Sequence, residues 1–135
     1  MRLRESQHDS ICILHLEGEI DLHYAPVIRA VFQAKAARRC PYLIADFSAV
    51  TFIDSTGIAV LIEYLRDATS FGGQFCIAGL TEHVRDVFTI VRLDKAIPLF
   101  DTAEDATVAF SSGRVPACAE PLFRRPAAES LVSAA

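Results

Sequence analysis

Short apolar runs and amphipathic segments take turns along this chain, and that alternation constrains its fold more than any other feature. Ile11–Leu16 is a β-rich run bounded by Asp9-Ser10 and Gly18, and reads as a strand. Arg2–Gln7 can pair with it as a polar edge strand. Pro26 suits a first helical position, and Val27, Ile28, Val31 and Phe32 follow at helical spacing. Lys35, Arg38 and Arg39 then suit the negative end of a helix dipole. Leu43–Phe47, interrupted only by Asp46, reads as a buried strand. Ile58, Leu61, Ile62 and Leu65 fall at i, i+3, i+4 and i+7 and predict the clearest helix, which Gly72-Gly73 stops. Phe75–Ala78 is the next strand. Thr81 can cap a third helix carrying Val84, Val87, Phe88 and Val91. Ile97–Phe100 contains Pro98 and is at best an edge strand. Thr102-x-x-Asp105 resembles a capping box for a last helix through Phe110.

Strands that alternate with helices over short connections imply an α/β fold. The sheet should be mostly parallel, of four to five strands with about four helices, built from right-handed crossovers. A chain of 135 residues, 52% of them hydrophobic, is long enough for one domain with a real core. Residues 1–110 are expected to form it. Residues 111–135 hold three of the six prolines and six alanines with no sustained period, and read as a flexible tail.

Several function classes are excluded at this stage. The longest stretch free of Asp, Glu, Lys and Arg is Ala68–Thr81, interrupted by Gly72 and Gly73, against the ~20 apolar residues of a membrane span. The start Met1-Arg2-Leu3-Arg4-Glu5 puts charges where a signal peptide needs an apolar block, so the cytosol is the expected compartment. A net charge of −4, with no basic stripe, disfavours nucleic acid. Cys12, Cys40, Cys76 and Cys118 are scattered, as are His8, His15, His23 and His83, so no metal-ligand spacing exists. The cysteines read as structural, and His15 as a surface or satisfied core histidine.

The informative stretch is Asp46-Phe47-Ser48-Ala49-Val50-Thr51-Phe52-Ile53-Asp54-Ser55-Thr56-Gly57. It runs from a buried strand, through a loop, into the start of the clearest helix, where sites collect in parallel sheets. Ser55 or Thr56 can be a plain N-cap. Either hydroxyl can also be a phosphate acceptor, tolerated by the positive end of the helix. Spacing alone does not choose. Asp54-Ser55-Thr56-Gly57 is not the Asp-Thr-Gly of an aspartic protease, because the Asp stands three residues before Gly and a helix follows. A hydrolase using Ser55 would want Gly-x-Ser-x-Gly, and no glycine precedes Ser55 by two. No phosphate-cradling glycine loop occurs either. An enzyme is not expected.

Three blocks carry a family resemblance. They are Leu16-Glu17-Gly18-Glu19-Ile20-Asp21 with Ala25-Pro26, then Asp46 to Gly57, then Gly72-Gly73-Gln74-Phe75 with Val84-Arg85-Asp86-Val87-Phe88 and Val91-Arg92-Leu93. In this order and spacing, over roughly residues 8–110, the chain resembles the STAS-domain anti-sigma factor antagonists. The resemblance implies a STAS-type domain that binds an anti-sigma factor which is itself a serine/threonine kinase. It implies phosphorylation at Ser55, with Thr56 the second choice, reversal by a PP2C-type phosphatase, and no cofactor. It also places Asp54, Thr56 and Gly57 in the partner-binding loop and Asp21 near the docking face. The alternative is a non-switching scaffold, or an accessory subunit of a signalling or transport complex. Glu19 and Asp21 would then be solvated loop carboxylates. Phe47, Phe52 and Phe88 read as core, although a ring near the loop could lie at the interface.

Overall fold

A computed structural model describes residues 2–113. The chain forms β1 (Arg2–His8), β2 (Ile11–Ile20), α1 (Ala25–Ala37), β3 (Tyr42–Ile53), α2 (Ser55–Phe71), β4 (Gln74–Ala78), α3 (Glu82–Ile90), β5 (Leu99–Phe100) and α4 (Ala103–Ser111). The five strands make one sheet in the order β1-β2-β3-β4-β5. β1 and β2 are antiparallel, and every later pairing is parallel. This is the expected α/β architecture. The expected tail falls, from residue 114 onward, outside the described residues, as does Cys118.

That strand order has a consequence for the two faces. A sheet that grows in one direction through right-handed crossovers puts all its crossover helices on one side. Accordingly α1, α2 and α3 share a core with Leu14, Leu16, Leu43, Phe47, Phe75 and Ile77. α4 follows the last strand and packs on the other side, over Ile11, Ile44, Cys76 and Ala78. Residues of a strand alternate between faces, so Leu43 and Ile44 belong to opposite cores. Aromatic rings fill the larger core: Phe32, Tyr64 and Phe75 pack mutually, and Phe47 meets Phe88 edge-on.

Boundaries depart from the sequence expectation at two strands. β2 and β3 run on past Leu16 and Phe47, so Ser48–Ile53 is strand rather than loop. The pairing survives Gly18 because the register shifts twice, between His15 and Glu17 and between Gly18 and Glu19. Gly18 takes φ of 104°, a conformation open to glycine. The second shift skips Thr51, pairing Gly18 with Val50 and Glu19 with Phe52. Ile53 still falls in the same core as Leu43 and Phe47, and Phe52, read as core, is exposed. Phe47 and Phe88 are core as expected. A single turn of tight helix, Leu93–Lys95, was not foreseen, and it buries Leu93. Thr102 does cap α4, its Oγ1 accepting from the Asp105 amide at 3.0 Å.

Among the described residues, the nine of α4 leave the far end of their face uncovered, and polar side chains occupy it. His15 of β2 contacts Asp46 of β3 at 2.9 Å and Ser6 of β1 at 3.0 Å, tying three strands together. This accounts for the lone carboxylate in the apolar β3 run. Burial raises the Asp46 carboxyl, but the Ser48 amide and the His15 ring outweigh it, and hold the group below its ordinary value. A depressed carboxyl contributes stability above its unfolded value and loses it as pH falls through the folded one. Asp46→Asn should therefore be less stable than wild type at neutral pH. The gap should narrow as pH drops below about 4, which urea titrations across pH will measure.

Candidate functional site

The sequence-predicted residues converge at the carboxyl end of β2 and β3. Asp54 is the residue that brings them together. It is extended, at φ −108° and ψ −175°, and forms the N-cap of α2. Its Oδ1 accepts from the amides of Thr56 and Gly57, both at 3.0 Å. Two of the helix's unpaired first-turn donors are thereby satisfied. Its Oδ2 accepts from the Leu22 amide, also at 3.0 Å. Its own amide donates to the Ile20 carbonyl at 3.1 Å. One residue thus fastens the β2–α1 loop to the start of α2.

Sequence reasoning left the N-cap between Ser55 and Thr56, and the structure assigns it to Asp54. The physical reason is that a carboxylate can accept several amides at once, which a single hydroxyl does less well. Ser55 is consequently the first residue of the helix, exposed, its hydroxyl outside the capping network. Thr56 is half-buried beside it.

Gly57 is fixed by packing rather than by backbone angle. A Cβ there would lie 2.7 Å from Ile20 Cγ2, 2.8 Å from Ile53 Cγ1 and 3.2 Å from the Ile20 carbonyl oxygen. Only glycine lets the first turn of α2 sit this close to the ends of both strands.

Asp21 lies across the site in the adjoining loop. Its Oδ1 accepts from His23 and Tyr24 amides at 3.1 and 3.2 Å, and its carbonyl accepts from the amides of Tyr24 and Ala25. Its carboxylate therefore shapes the entry to α1, where Pro26 occupies the first turn as expected. Glu19 is exposed. Two residues that sequence reasoning did not assign to the site border it. Leu22 is 71% exposed although its amide is held by Asp54, and Phe52 is 39% exposed on the neighbouring strand. Leu22 follows the carboxylate that opens a helix-entry turn, a position that periodicity does not mark. Phe52 falls on the face of β3 opposite Phe47 and Ile53.

The site thus presents a hydroxyl and exposed apolar side chains on a loop pair held by carboxylate-to-amide bonds. Among the described residues, no three His, Cys, Asp or Glu side chains could hold a metal ion, and no helix is long and apolar enough to cross a membrane. The histidine that carries a carboxylate partner, His15, belongs to the polar end of the α4 face. By strand rise it lies about 20 Å from the start of α2, so it does not serve Ser55 as a base.

A family model described as the STAS domain matches residues 3–106. An anti-sigma-F factor antagonist of Mycobacterium tuberculosis is 28% identical over 113 residues, covering 82% of this chain and 89% of that protein. The crystal structure of an anti-sigma factor antagonist from Mycobacterium paratuberculosis shares 30% identity. It has a TM-score of 0.74 and covers 80% of this chain and 92% of that one. The phosphorylated form of the Bacillus cell fate determinant SpoIIAA shares the fold, with a TM-score of 0.67 at 20% identity over 81% of this chain and 99% of that one. This chain belongs to the STAS domain family.

The Asp54 network can be tested directly. Asp54→Ala should cost about 2 kcal/mol, a charged cap with an extra amide partner. It should also speed hydrogen exchange at the Leu22 amide well beyond the global effect, as NMR exchange will read. Gly57→Ala should cost about 1–3 kcal/mol through overpacking, measured by denaturant melts.

Proposed function

We propose that this chain is an anti-sigma factor antagonist that binds its anti-sigma factor through the Leu22–Asp54–Ser55 end of the sheet. On this reading the anti-sigma factor is a serine/threonine kinase, and phosphorylation of Ser55 ends the complex. The protein acts by binding rather than by catalysis, in the bacterial cytoplasm, and regulates transcription by releasing a sigma factor. A PP2C-type phosphatase restores the binding form. ATP and Mg²⁺ belong to the kinase, so the chain needs no cofactor of its own.

The observation that carries the reading is the position of Ser55. It is exposed at the first helical residue while Asp54, not Ser55, performs the capping. A hydroxyl free of structural duty can be modified without dismantling the helix start. The phosphate would add about two negative charges beside Asp54 and at the edge of Leu22 and Phe52. A partner that covers this apolar rim would have to bury that dianion, which costs far more than burying a hydroxyl. The favourable helix dipole offsets part of the cost within the free protein. Phosphate therefore discriminates between the free and the bound state. Thr56, half-buried and donating its amide to Asp54, is the poorer acceptor. The Mycobacterium relatives, covered over about nine-tenths of their length, support the general role.

Incubation with the candidate kinase and ATP, followed by peptide mass mapping, should place one phosphate on Ser55 and none on Ser55→Ala. Ser55→Ala should bind the kinase as wild type does in calorimetry. Ser55→Asp should bind at least tenfold more weakly, a loss of about 1.4 kcal/mol, with an unchanged melting temperature. Equal binding by both variants would contradict the charge mechanism, and phosphate found only elsewhere would remove Ser55 from it. Truncating the apolar rim with Leu22→Ala should weaken binding without altering phosphorylation at Ser55 by an unrelated, peptide-directed kinase.

A further inference from the structure

On the α4 face, far from Ser55, Ser6, His15 and Asp46 form a continuous hydrogen-bonded chain across three neighbouring strands. Ser6 Oγ is 3.0 Å from His15 Nε2, and His15 Nδ1 is 2.9 Å from Asp46 Oδ2. An ionised carboxylate can only accept, so Nδ1 carries the ring proton and donates it to Asp46. Nε2 is then left as the acceptor for the Ser6 hydroxyl. The Ser48 amide donates to Asp46 Oδ1 at 3.0 Å, which fixes the carboxylate from its other side. Burial raises the Asp46 carboxyl, yet these partners hold it low and ionised at neutral pH. The order serine, histidine, carboxylate is the arrangement that activates a serine, whatever fold supports it.

The surroundings admit a reagent. The His15 and Asp46 side chains keep only 22% and 15% of their surface exposed, whereas Ser6 is half-buried at the sheet edge. Ser6 and His15 line an open groove of about 470 Å³ between β1 and α4, whose walls include Ile13, Ala103 and the exposed Val108. Arg4 stands directly across from His15 in the ladder and, two residues before Ser6, on the same face. None of these groups takes part in the Asp54 network.

We propose that Ser6 is an activated nucleophile, a second modification site that accepts acyl groups from small activated esters. Attack forms a bond from Ser6 Oγ to the ester carbonyl carbon and breaks that carbon's bond to the leaving phenolate or alkoxide. The Ser6 proton passes to His15 Nε2, the imidazolium is held against the Asp46 carboxylate, and the proton then goes to the leaving oxygen. The product is a stable O-acyl serine. The groove between β1 and α4 receives the acyl chain.

The test uses the full chain with a fluorophosphonate probe and, separately, p-nitrophenyl acetate, followed by intact-mass and peptide mapping. A single adduct on Ser6 is expected in wild type, absent from Ser6→Ala, with Ser55 unlabelled. His15→Ala should slow labelling roughly 10²-fold, and added imidazole should restore part of the rate, which a merely structural role would not permit. Absence of a Ser6 adduct in wild type overturns the proposal without recourse to any variant. An adduct that forms equally fast in a folded His15→Ala protein also overturns it, as does failure of imidazole to restore the rate. None of these outcomes bears on Ser55, whose role is read from kinase phosphorylation and partner binding.

Discussion

The carboxylate of Asp54 holds the candidate site of this domain in one geometry. Three backbone amides converge on it, two from the first turn of α2 and one from Leu22. Without it, the end of β2 and the start of α2 would be joined only by the Asp54 amide's bond to the Ile20 carbonyl and by apolar contact, which is not directional. Gly57 complements the carboxylate sterically by letting the helix approach Ile20 and Ile53. The Asp-Ser-Thr-Gly sequence thus divides its labour. The first and last residues build the junction, and the hydroxyls between them are left for other work.

A second constraint is topological. Because the strands follow one another in chain order across the sheet, three helices crowd one face and a single short helix must cover the other. The crowded face becomes the main core. Among the described residues, the nine of α4 do not reach the far end of the other face. Histidine, aspartate and serine fill that uncovered area, and they satisfy one another across three strands. A polar cluster on an exposed half-face costs little, because its groups keep partial hydration and hydrogen bonds together. The same incomplete coverage leaves a groove beside Ser6.

Most of the architecture was legible in the sequence because it rests on periodicity. The runs from Ile11, Leu43 and Phe75, and the i, i+3, i+4, i+7 pattern from Ile58, state their burial directly. What was not legible depended on contacts between distant residues. The extension of β3 to Ile53 follows from its pairing with β2 through two register shifts, which no local pattern encodes. The exposure of Phe52 follows from its place on the face opposite Phe47, whose cover is set by the tertiary packing and not by local pattern. Asp54 was recognised as a loop residue, but its role as the cap requires knowing that Leu22 lies within reach. His15 was read as surface or satisfied core, and its partners Ser6 and Asp46 lie 9 and 31 residues away. Strand pairing, not spacing, brings them together.

If Ser55 is the proposed acceptor, its relation to Asp54 would let a charge be added here without rewriting the fold. In many helices the cap is the serine itself, and modifying it removes the hydrogen bond that starts the helix. Here the donors at Thr56 and Gly57 are already satisfied by the neighbouring carboxylate. A phosphate on Ser55 would find the helix dipole but little reason to displace Asp54, because the two anions would compete for the same amides. It would point outward, toward whatever covers Leu22. The free-energy change is then felt chiefly by the complex, as buried charge, and hardly by the isolated domain. On the proposed reading, a hydroxyl one residue beyond the cap would let modification act on binding while leaving stability nearly unchanged.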